Sequence, residues 1–487
     1  MSASVSVAEK KDIEYADDKL EANVDNVDEE FGGHEARKQL EKKLLRKLDL
    51  RMSILIVIYI LNYIDRNNAS AARLRGFESD LRLVGQEFNT LLSILYVGYI
   101  LMQIPSNMLL NRIGRPSLYL PCCMIIWGTI SILTGITTNF VGALLTRFFL
   151  GFVEAAFFPG SLFLLSKWYK RSELGVRTAL LSCGSLISNA FGSLIASGIL
   201  DGMQGKLGHS AWRWLFYIEG SLTVFAAICA IFILPDFPAT SHTWLSPLEA
   251  RLAEKRMEED VGVGDEAQTE AGGAVHGLVL AVSDWKVWWL ALALTSMVVS
   301  LSFNAFFPTL SATMGFSTTV TLLLCAPPWA FATIVAFCVT RNSDRVGDRF
   351  NHIAISLFGG IIGFIIAVST MNTAARYVSL FLMAQSYAAF ITFLAWVSNS
   401  IPRPPSKRAV AIACINAFSQ LGNVAGSYVW PTAWGPSYRN SYAICIATNG
   451  LCIVMCYIFK KHLEHLNKQL EEKENEEGKP KGFRYFT

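Results

Sequence analysis

Apolar segments of about 20 residues recur along the chain, and this pattern restricts the fold more than any other feature. A helix of that length spans the hydrocarbon core of a bilayer. Only 17% of the 487 residues are charged, whereas about a quarter are charged in a typical soluble domain. The sequence therefore predicts an all-α membrane protein. Its twelve transmembrane helices are expected near residues 52–71, 88–110, 117–137, 140–165, 176–200, 215–234, 286–308, 318–340, 352–371, 376–398, 408–432 and 440–460.

A polar segment at residues 235–284 separates six of these helices from the other six. Within it, residues 244–259 are a candidate interfacial helix, and residues 260–274 are expected to be a flexible linker. The charged ends, at 1–40 and 468–487, are expected to be disordered. The predicted parts are a cytoplasmic N-terminal tail (1–50), an N-terminal six-helix half (51–234), a cytoplasmic central loop (235–284), a C-terminal six-helix half (285–461) and a cytoplasmic C-terminal tail (462–487).

Two further patterns relate the halves and orient them. Asn111-Arg112-Ile113-Gly114-Arg115 follows helix 2, and Asp344-Arg345-Val346-Gly347-Asp348-Arg349 follows helix 8 at the matching place. Two related halves place a binding site at their interface, near the bilayer midplane. Lysine and arginine are concentrated before helix 1 and after the even-numbered helices, so the positive-inside rule puts both termini in the cytoplasm.

Charged residues occur inside two segments that are otherwise apolar. Helix 1 carries Asp65 and Arg66, and helix 4 carries Arg147 and Glu154. A charge near the bilayer centre costs at least about 2.5 kcal/mol, which makes these residues candidates for function. At about 1.5 Å per residue, Asp65 and Arg147 reach the same depth, so they are expected to pair if helices 1 and 4 are neighbours. Glu154 lies deeper, so its ion pair with Arg66 depends on helix tilt.

The chemistry of this charged set favours proton-coupled anion transport. Two acids and two bases cancel, and protonation of one acid leaves a surplus arginine charge. A guanidinium group binds a carboxylate through two hydrogen bonds. The alternative is a permanently locked set of ion pairs, with the substrate bound elsewhere. Asn416, Gln420 and Asn423 share one face of helix 11 and either line a cavity or bond between helices.

Several motifs accompany the charged set and carry a family resemblance. They are Asp65-Arg66-x-Asn68, the run from Arg147 to Gly160, Trp168-Tyr169, Trp212-Arg213-Trp214 through Glu219-Gly220, Leu234-Pro235-Asp236-Phe237-Pro238 and Lys407-Arg408-Ala409. With these motifs, residues 45–460 resemble the major facilitator superfamily, specifically its anion:cation symporter branch in fungi. That branch contains permeases for allantoate, nicotinate, pantothenate and biotin.

The resemblance implies roles for individual residues. Arg66 and Arg147 are the expected anion ligands, and Asp65 and Glu154 the expected proton-coupling acids. Asn416 joins the substrate-binding candidates because of its place on helix 11. A conformational gate is expected at Asn111, Arg112, Gly114, Asp344 and Arg345. The superfamily usually has an acid where this chain has Asn111, which puts a standard gate in doubt.

The sequence thus predicts a secondary transporter that imports a small monocarboxylate, for example a vitamin-like acid such as nicotinate, with protons by alternating access. An exporter of a small acidic metabolite on the same scaffold is the alternative, and a non-transporting nutrient sensor is a weaker one. No enzyme active site, cofactor, metal cluster or nucleic-acid surface is expected. The expected setting is the plasma membrane of a fungus, where the protein acts as a monomer.

Overall fold

The computed structural model describes residues 30–238, 244–270, 279–401, 405–477 and 484–487. Long helices account for most of these residues, and strands are absent from the described part. Twelve helices form the bundle: α1 (His34–Ala72), α2 (Glu87–Ile113), α3 (Pro116–Thr134), α4 (Phe140–Trp168), α5 (Arg171–Gly202), α6 (Ala211–Ile233), α7 (Trp285–Ala312), α8 (Thr318–Val346), α9 (Phe350–Ser369), α10 (Thr373–Ser400), α11 (Pro405–Ser427) and α12 (Arg439–Glu477).

Three of the helices are interrupted. Short breaks divide α4 into Phe140–Glu154 and Phe157–Trp168, α7 into Trp285–Leu301 and Phe303–Ala312, and α10 into Thr373–Gln385 and Tyr387–Ser400. Among the described residues, nine helices are long and apolar enough to cross a bilayer. The other three, α1, α2 and α11, are also long enough to span a bilayer. The predicted all-α membrane fold is confirmed.

The helices form two sets of six that meet along two main contacts. In the first set α3 packs on α6, α2 on α4 and α1 on α5; in the second α7 packs on α11 and α12, and α9 on α10. Between the sets, α8 packs on α5 and α11 packs on α2. The cavity described below lies between these two lines of contact.

Glycine allows α2 and α4 to approach closely. A Cβ atom at Gly151 would overlap the carbonyl oxygen of Leu95, and one at Gly98 would overlap that of Phe148. Small residues at helix crossings bring backbones together in this way in membranes. The close approach fixes the half of α4 that carries Arg147 and Glu154.

The halves also touch where α1 ends and α2 begins, which we call the distal end. The hydroxyl of Tyr428, just after α11, lies 3.0 Å from Thr90 Oγ1 and 3.3 Å from Ser93 Oγ on α2. Arg73 donates to Thr432 at 2.9 Å. Ser197 on α5 donates to the carbonyl oxygen of Thr319 on α8 at 3.0 Å. These contacts hold the two halves together at the distal end.

Charged residues join several elements at the opposite end, where α1 begins. A helix in the central loop, Pro247–Glu270, lies beside the first turns of α1. The buried Arg256 donates to Glu41 at 2.5 Å and to Glu173 at 2.6 Å, and Lys47 donates to Glu249 at 2.8 Å. The expectation of a flexible linker at 260–274 is therefore wrong for residues 260–270, and residues 271–278 lie outside the described part.

The expected disorder of the charged ends is also wrong where the structure describes them. Residues 34–51 continue α1, and residues 468–477 continue α12. Residues 484–487 fold back onto the bundle, where Trp396 Nε1 donates to the carbonyl oxygen of Phe486 at 2.9 Å. Composition alone indicated disorder, because it does not register the partners that these charged helices find in the fold.

Candidate functional site

A polar cavity lies between the halves. Its empty space measures about 1070 Å³, including the part that is open to solvent. Most of its polar wall comes from tyrosine and amide side chains, which are Tyr59, Tyr63, Tyr96, Tyr99, Tyr387, Asn67, Asn304, Asn416, Gln420 and Asn423. Among the described residues that line it, Arg66 is the only one with a charged side chain. The cavity therefore presents one cation within a neutral wall.

Arg66 forms an ion pair with Glu154. Its Nε and Nη2 donate to the same carboxylate oxygen, Oε2, at 3.1 and 3.0 Å. The Glu154 side chain is fully buried, and that of Arg66 is 9% exposed. The other carboxylate oxygen, Oε1, has no hydrogen-bond partner among the described residues. The sequence left this pair open, and the structure makes it the charged centre of the cavity.

Three tyrosine rings surround the Arg66 guanidinium group. Its Cζ lies 4.9 Å from the ring centre of Tyr63, 5.7 Å from that of Tyr96 and 5.1 Å from that of Tyr99. A cation over an aromatic face is stabilised by the ring quadrupole. The rings therefore help to hold the guanidinium group at the cavity wall, in addition to Glu154, which bonds its Nε and Nη2.

Arg147 lies behind the cavity wall rather than in it. Its side chain is buried, and its Nη1 donates to the backbone carbonyl oxygen of Arg66 at 3.0 Å. Its Nε and Nη2 have no partner within the described part of the chain. Arg147 is absent from the cavity lining in this conformation, and its role as an anion ligand stays a prediction.

Asp65 is hydrogen-bonded to α3 and α6 rather than to Arg147. Its Oδ1 accepts from Ser131 on α3 at 2.9 Å, and its Oδ2 accepts from Thr223 on α6 at 2.7 Å. No ion pair joins Asp65 to Arg147 in the described structure, so the predicted pair is wrong. The depth estimate was sound, because Arg147 bonds the backbone of the next residue. The error was rotational: residue 65 points to α3 and α6, and residue 66 to the cavity.

Asn416 lines the cavity from α11, as its place in the sequence suggested. On the same helix face, Asn423 donates to Gln420 at 2.8 Å. A second cavity of about 430 Å³ continues toward the distal end. There Asn67 donates to Asn189 at 2.8 Å. Amide side chains therefore follow the interface of the halves on both sides of Arg66.

The predicted gate residues lie at the end where α1 begins, away from the cavity. Asn111 and Arg112 are on the last turn of α2, and Gly114 ends that helix with a φ of +67°. In the second half Arg345 is on the last turn of α8, and Asp344 pairs with Arg349 at 2.6 Å. Gly347 likewise ends α8, with a φ of +74°. The repeated sequence therefore forms the same type of helix end in both halves.

The tyrosine cluster and the ligands of Asp65 were missed from the sequence. Tyr59 and Tyr63 are four residues apart, and Tyr96 and Tyr99 are three apart, so each pair shares a helix face. That spacing was a usable signal. Ser131 and Thr223 had none, because a single hydroxyl in an apolar helix most often bonds its own backbone.

Comparison with known proteins agrees with this architecture. Residues 55–427 match the model of the Major Facilitator Superfamily. The chain is 32% identical over 424 residues to the MFS-type transporter cnsO of Penicillium expansum. This match covers 84% of this chain and 81% of that protein. It is 29% identical over 389 residues to a putative tartrate transporter of Agrobacterium vitis, and this match covers 80% of this chain and 87% of that protein.

Solved structures share the fold. A bacterial homologue of the human lysosomal transporter Spinster, in an inward-facing and occupied conformation, superposes with a TM-score of 0.65 at 15% identity. The match covers 84% of this chain and 96% of that one. Helix content, the two six-helix sets and the family match all agree. The chain therefore belongs to the Major Facilitator Superfamily and is a multi-pass membrane transporter.

Proposed function

We propose that the protein imports a small organic monocarboxylate together with protons, by alternating access of its two halves. The observation that carries this proposal is Arg66, the one charged side chain among the described residues of the cavity wall, whose carboxylate partner Glu154 is buried behind it. Arginine suits a carboxylate because its planar fork offers paired donors. The putative tartrate transporter among the relatives is named for a carboxylate substrate, which supports an organic anion here.

Glu154 and the substrate compete for Arg66 in this mechanism. With Glu154 ionised, its carboxylate holds Nε and Nη2 of Arg66. A proton on Glu154 removes that negative charge and leaves a buried cation without a counter-ion, which is costly. The carboxylate of the substrate then restores neutrality. Binding of the anion and binding of the proton thereby favour each other.

Arg147 and Asp65 support this exchange without lining the cavity. Arg147 holds the backbone of Arg66 in place and is a second positive charge near Glu154. Asp65 is a second buried acid, held by two hydroxyl groups. We assign Arg147 a positioning role and Asp65 a proton-coupling role. The charges of the four residues cancel, which lowers the cost of burying them.

The rest of the cavity favours one carboxylate rather than two. The wall opposite Arg66 has neutral partners, including Tyr387 on α10 and Asn416 and Gln420 on α11. A second carboxylate would have to lose its water without gaining a cation, which costs several kcal/mol. Uncharged polar groups and aromatic surface suit the remaining part of a small acid. A vitamin-like acid such as nicotinate meets this description.

The cellular setting follows from the same reasoning. The positive-inside rule supports cytoplasmic termini, and import from the medium supports the plasma membrane. The distal end, where the halves touch, then faces outward. A monomer suffices, because every residue of the mechanism comes from one chain.

Uptake measurements test the proposal. Cells that lack their own permeases would express the protein and be offered radiolabelled nicotinate, pantothenate, allantoate and biotin at low and neutral pH. Accumulation of one acid at low pH, abolished by a protonophore, is the expected result. Absence of accumulation, with the protein shown at the cell surface, would overturn import and indicate export instead.

A matched pair of variants links that uptake to the site. Arg66→Gln removes the cavity cation and should reduce uptake at least about tenfold, the equivalent of 1.4 kcal/mol. Arg177→Gln breaks a comparable ion pair, with Asp49 at 2.9 Å, outside the cavity. It should leave uptake unchanged. Equal uptake by the two variants would contradict the role of Arg66.

A further inference from the structure

Glu219 on α6 is a buried acid that the mechanism above does not use. The residue is 2% exposed. Neither carboxylate oxygen has a hydrogen-bond partner in the described part of the chain. On the facing helix α1, the side-chain amide nitrogen of Asn68 is buried and also without a partner there. Two polar groups thus adjoin at one helix contact without forming a regular hydrogen bond.

These groups lie one helical turn beyond Asp65, toward the distal end. Asn68 follows Asp65 by three residues on α1, which runs toward that end. Glu219 precedes Thr223 by four residues on α6, which starts at that end, and Thr223 is the donor to Asp65. The contact of α1 and α6 therefore carries two levels of acids, with Asp65 on the inner level and Glu219 on the outer one.

The surroundings of Glu219 favour its neutral, protonated form. An ionised carboxylate that is buried without a partner costs several kcal/mol. From α1 the charged neighbour is Asp65, which has the same sign. On α4, the Cζ atom of Arg147 lies 5.6 Å from the ring centre of Phe216, which is on α6. No ion pair joins Arg147 to Glu219 in the described structure.

The other neighbours of α6 do not supply a counter-charge. Helix α3 contains no Asp, Glu, Lys, Arg or His, and α5 has its charged residues near its two ends. In the short helix Arg73–Arg75, which contacts α6, Arg73 pairs with Glu78 and Arg75 lies 3.7 Å from Asp201. Asp80 accepts from Ser210 and Trp212 at the start of α6.

We propose that Glu219 is a further proton site of the transport cycle, in addition to Asp65 and Glu154. It holds a proton while the distal end is closed and exchanges that proton with the solution when the halves separate there. Its neighbour Asn68 lines the second cavity, between the halves, so water that enters on opening reaches this helix contact and stabilises the ionised form of Glu219. The site adds one proton to those carried by Asp65 and Glu154. The role of Glu219 in the transport cycle rests on the proposed proton coupling. The protonation of Glu219 in the closed structure does not depend on that coupling.

Infrared spectroscopy of the purified protein tests the protonation without any substrate. A protonated carboxyl group has a carbonyl stretch that an ionised one lacks. The wild type at neutral pH should show this band, and Glu219→Gln should lose part of it. Glu78→Gln, at an ion-paired acid, serves as the control and should leave the band unchanged. An identical band in the wild type and Glu219→Gln would overturn the proposal.

Transport by proteoliposomes tests the coupling, with radiolabelled nicotinate as the probe. For a given pH gradient, Glu219→Gln should accumulate nicotinate to a lower ratio than the wild type, because one coupled proton is lost while Asp65 and Glu154 remain. It should retain exchange of internal for external nicotinate, which needs no net proton movement. Glu219→Asp should restore the wild-type ratio. Normal accumulation by Glu219→Gln, or loss of exchange in a monodisperse protein, would overturn the inference. Accumulation by the wild type without a pH gradient would instead overturn the proposed proton coupling, whatever the infrared result.

Discussion

At the scale of single residues, the proposed transport chemistry depends on the ion pair of Arg66 and Glu154. Glu154→Gln removes the negative charge that competes with the substrate, so Arg66 is free for an anion at every pH. Substrate affinity should then become independent of pH, whereas the wild type should bind more tightly as the pH falls. Binding measured by calorimetry in detergent across a pH series checks this. The control is Asp49→Asn, which breaks an ion pair with Arg177 outside the cavity.

A pH dependence that survives in Glu154→Gln would transfer the competing role to Asp65. The hydrogen bonds of Asp65 argue against such a role. Asp65 accepts from two hydroxyl groups, Ser131 and Thr223, and forms no ion pair among the described residues. Its protonation would therefore not release Arg66 directly.

Sequence reasoning at this scale identified the right residues and misjudged their directions. Helical rise gave the depth of Arg147, which does reach the level of helix 1 at Arg66. A rotation of about 100° separates successive side chains on a helix, so neighbours 65 and 66 face different partners. Which of the two faces α4 depends on how the helices pack. A single sequence does not contain that information.

At the scale of elements, the crossing of α2 and α4 sets the position of the charged residues. Gly151 lies against the backbone of Leu95, so Gly151→Ala forces the two helices apart. Overpacking of this kind costs about 1–3 kcal/mol. The variant should unfold at a lower temperature in detergent and lose transport.

Gly198→Ala on α5 is the matched control for that crossing. A Cβ atom at this position meets no atom within 4 Å, so stability should be unchanged or slightly raised. If Gly151→Ala were as stable and as active as Gly198→Ala, the close approach would not position the site.

The helices themselves were largely predictable, because apolar length reports a membrane span directly. Their extensions were not. The first turns of α1 are charged, and they are helical next to partners such as Arg256, which is far away in sequence. The interruption of α7 after Leu301 was also not predicted.

At the scale of the whole molecule, Arg256 ties the central loop to the first half. Burial raises the pKa of Glu41, but the charges of Arg256 and Lys170 outweigh it and hold that pKa below its usual value. A lowered pKa stabilises the fold at neutral pH, and this contribution is lost as the pH falls through the lowered value. Arg256→Gln should therefore lower the unfolding temperature at pH 7.

That destabilisation should shrink as the pH falls through the lowered pKa of Glu41, because the carboxyl group then becomes protonated. Arg251→Gln is the control, because Arg251 is 71% exposed and pairs with Glu30 at the surface. Unfolding temperatures of both variants across pH check the prediction. An equal effect of Arg256→Gln at every pH would show that packing, rather than charge, explains its contribution.

Closure of the distal end can be tested with a cross-link. Thr90 on α2 and Tyr428, just after α11, are in contact across the two halves through the tyrosine hydroxyl. In a background without native cysteines, Thr90→Cys with Tyr428→Cys should be joined by a bifunctional methanethiosulfonate reagent that spans the length of the lost tyrosine side chain. Uptake should stop, because alternating access requires this contact to open, and a reductant should restore it. Full uptake by the cross-linked protein would contradict rigid-body movement of the halves.

The most direct test of the central claim is a simultaneous measurement of proton and substrate movement. Proteoliposomes in weak buffer would contain a pH-sensitive dye and receive the acid identified by the uptake panel. We predict that the lumen acidifies as the wild type takes up the anion, and that Glu154→Gln takes up the anion with a smaller proton flux or none. Uptake by the wild type without any change in luminal pH would contradict proton-coupled transport through the Arg66–Glu154 pair.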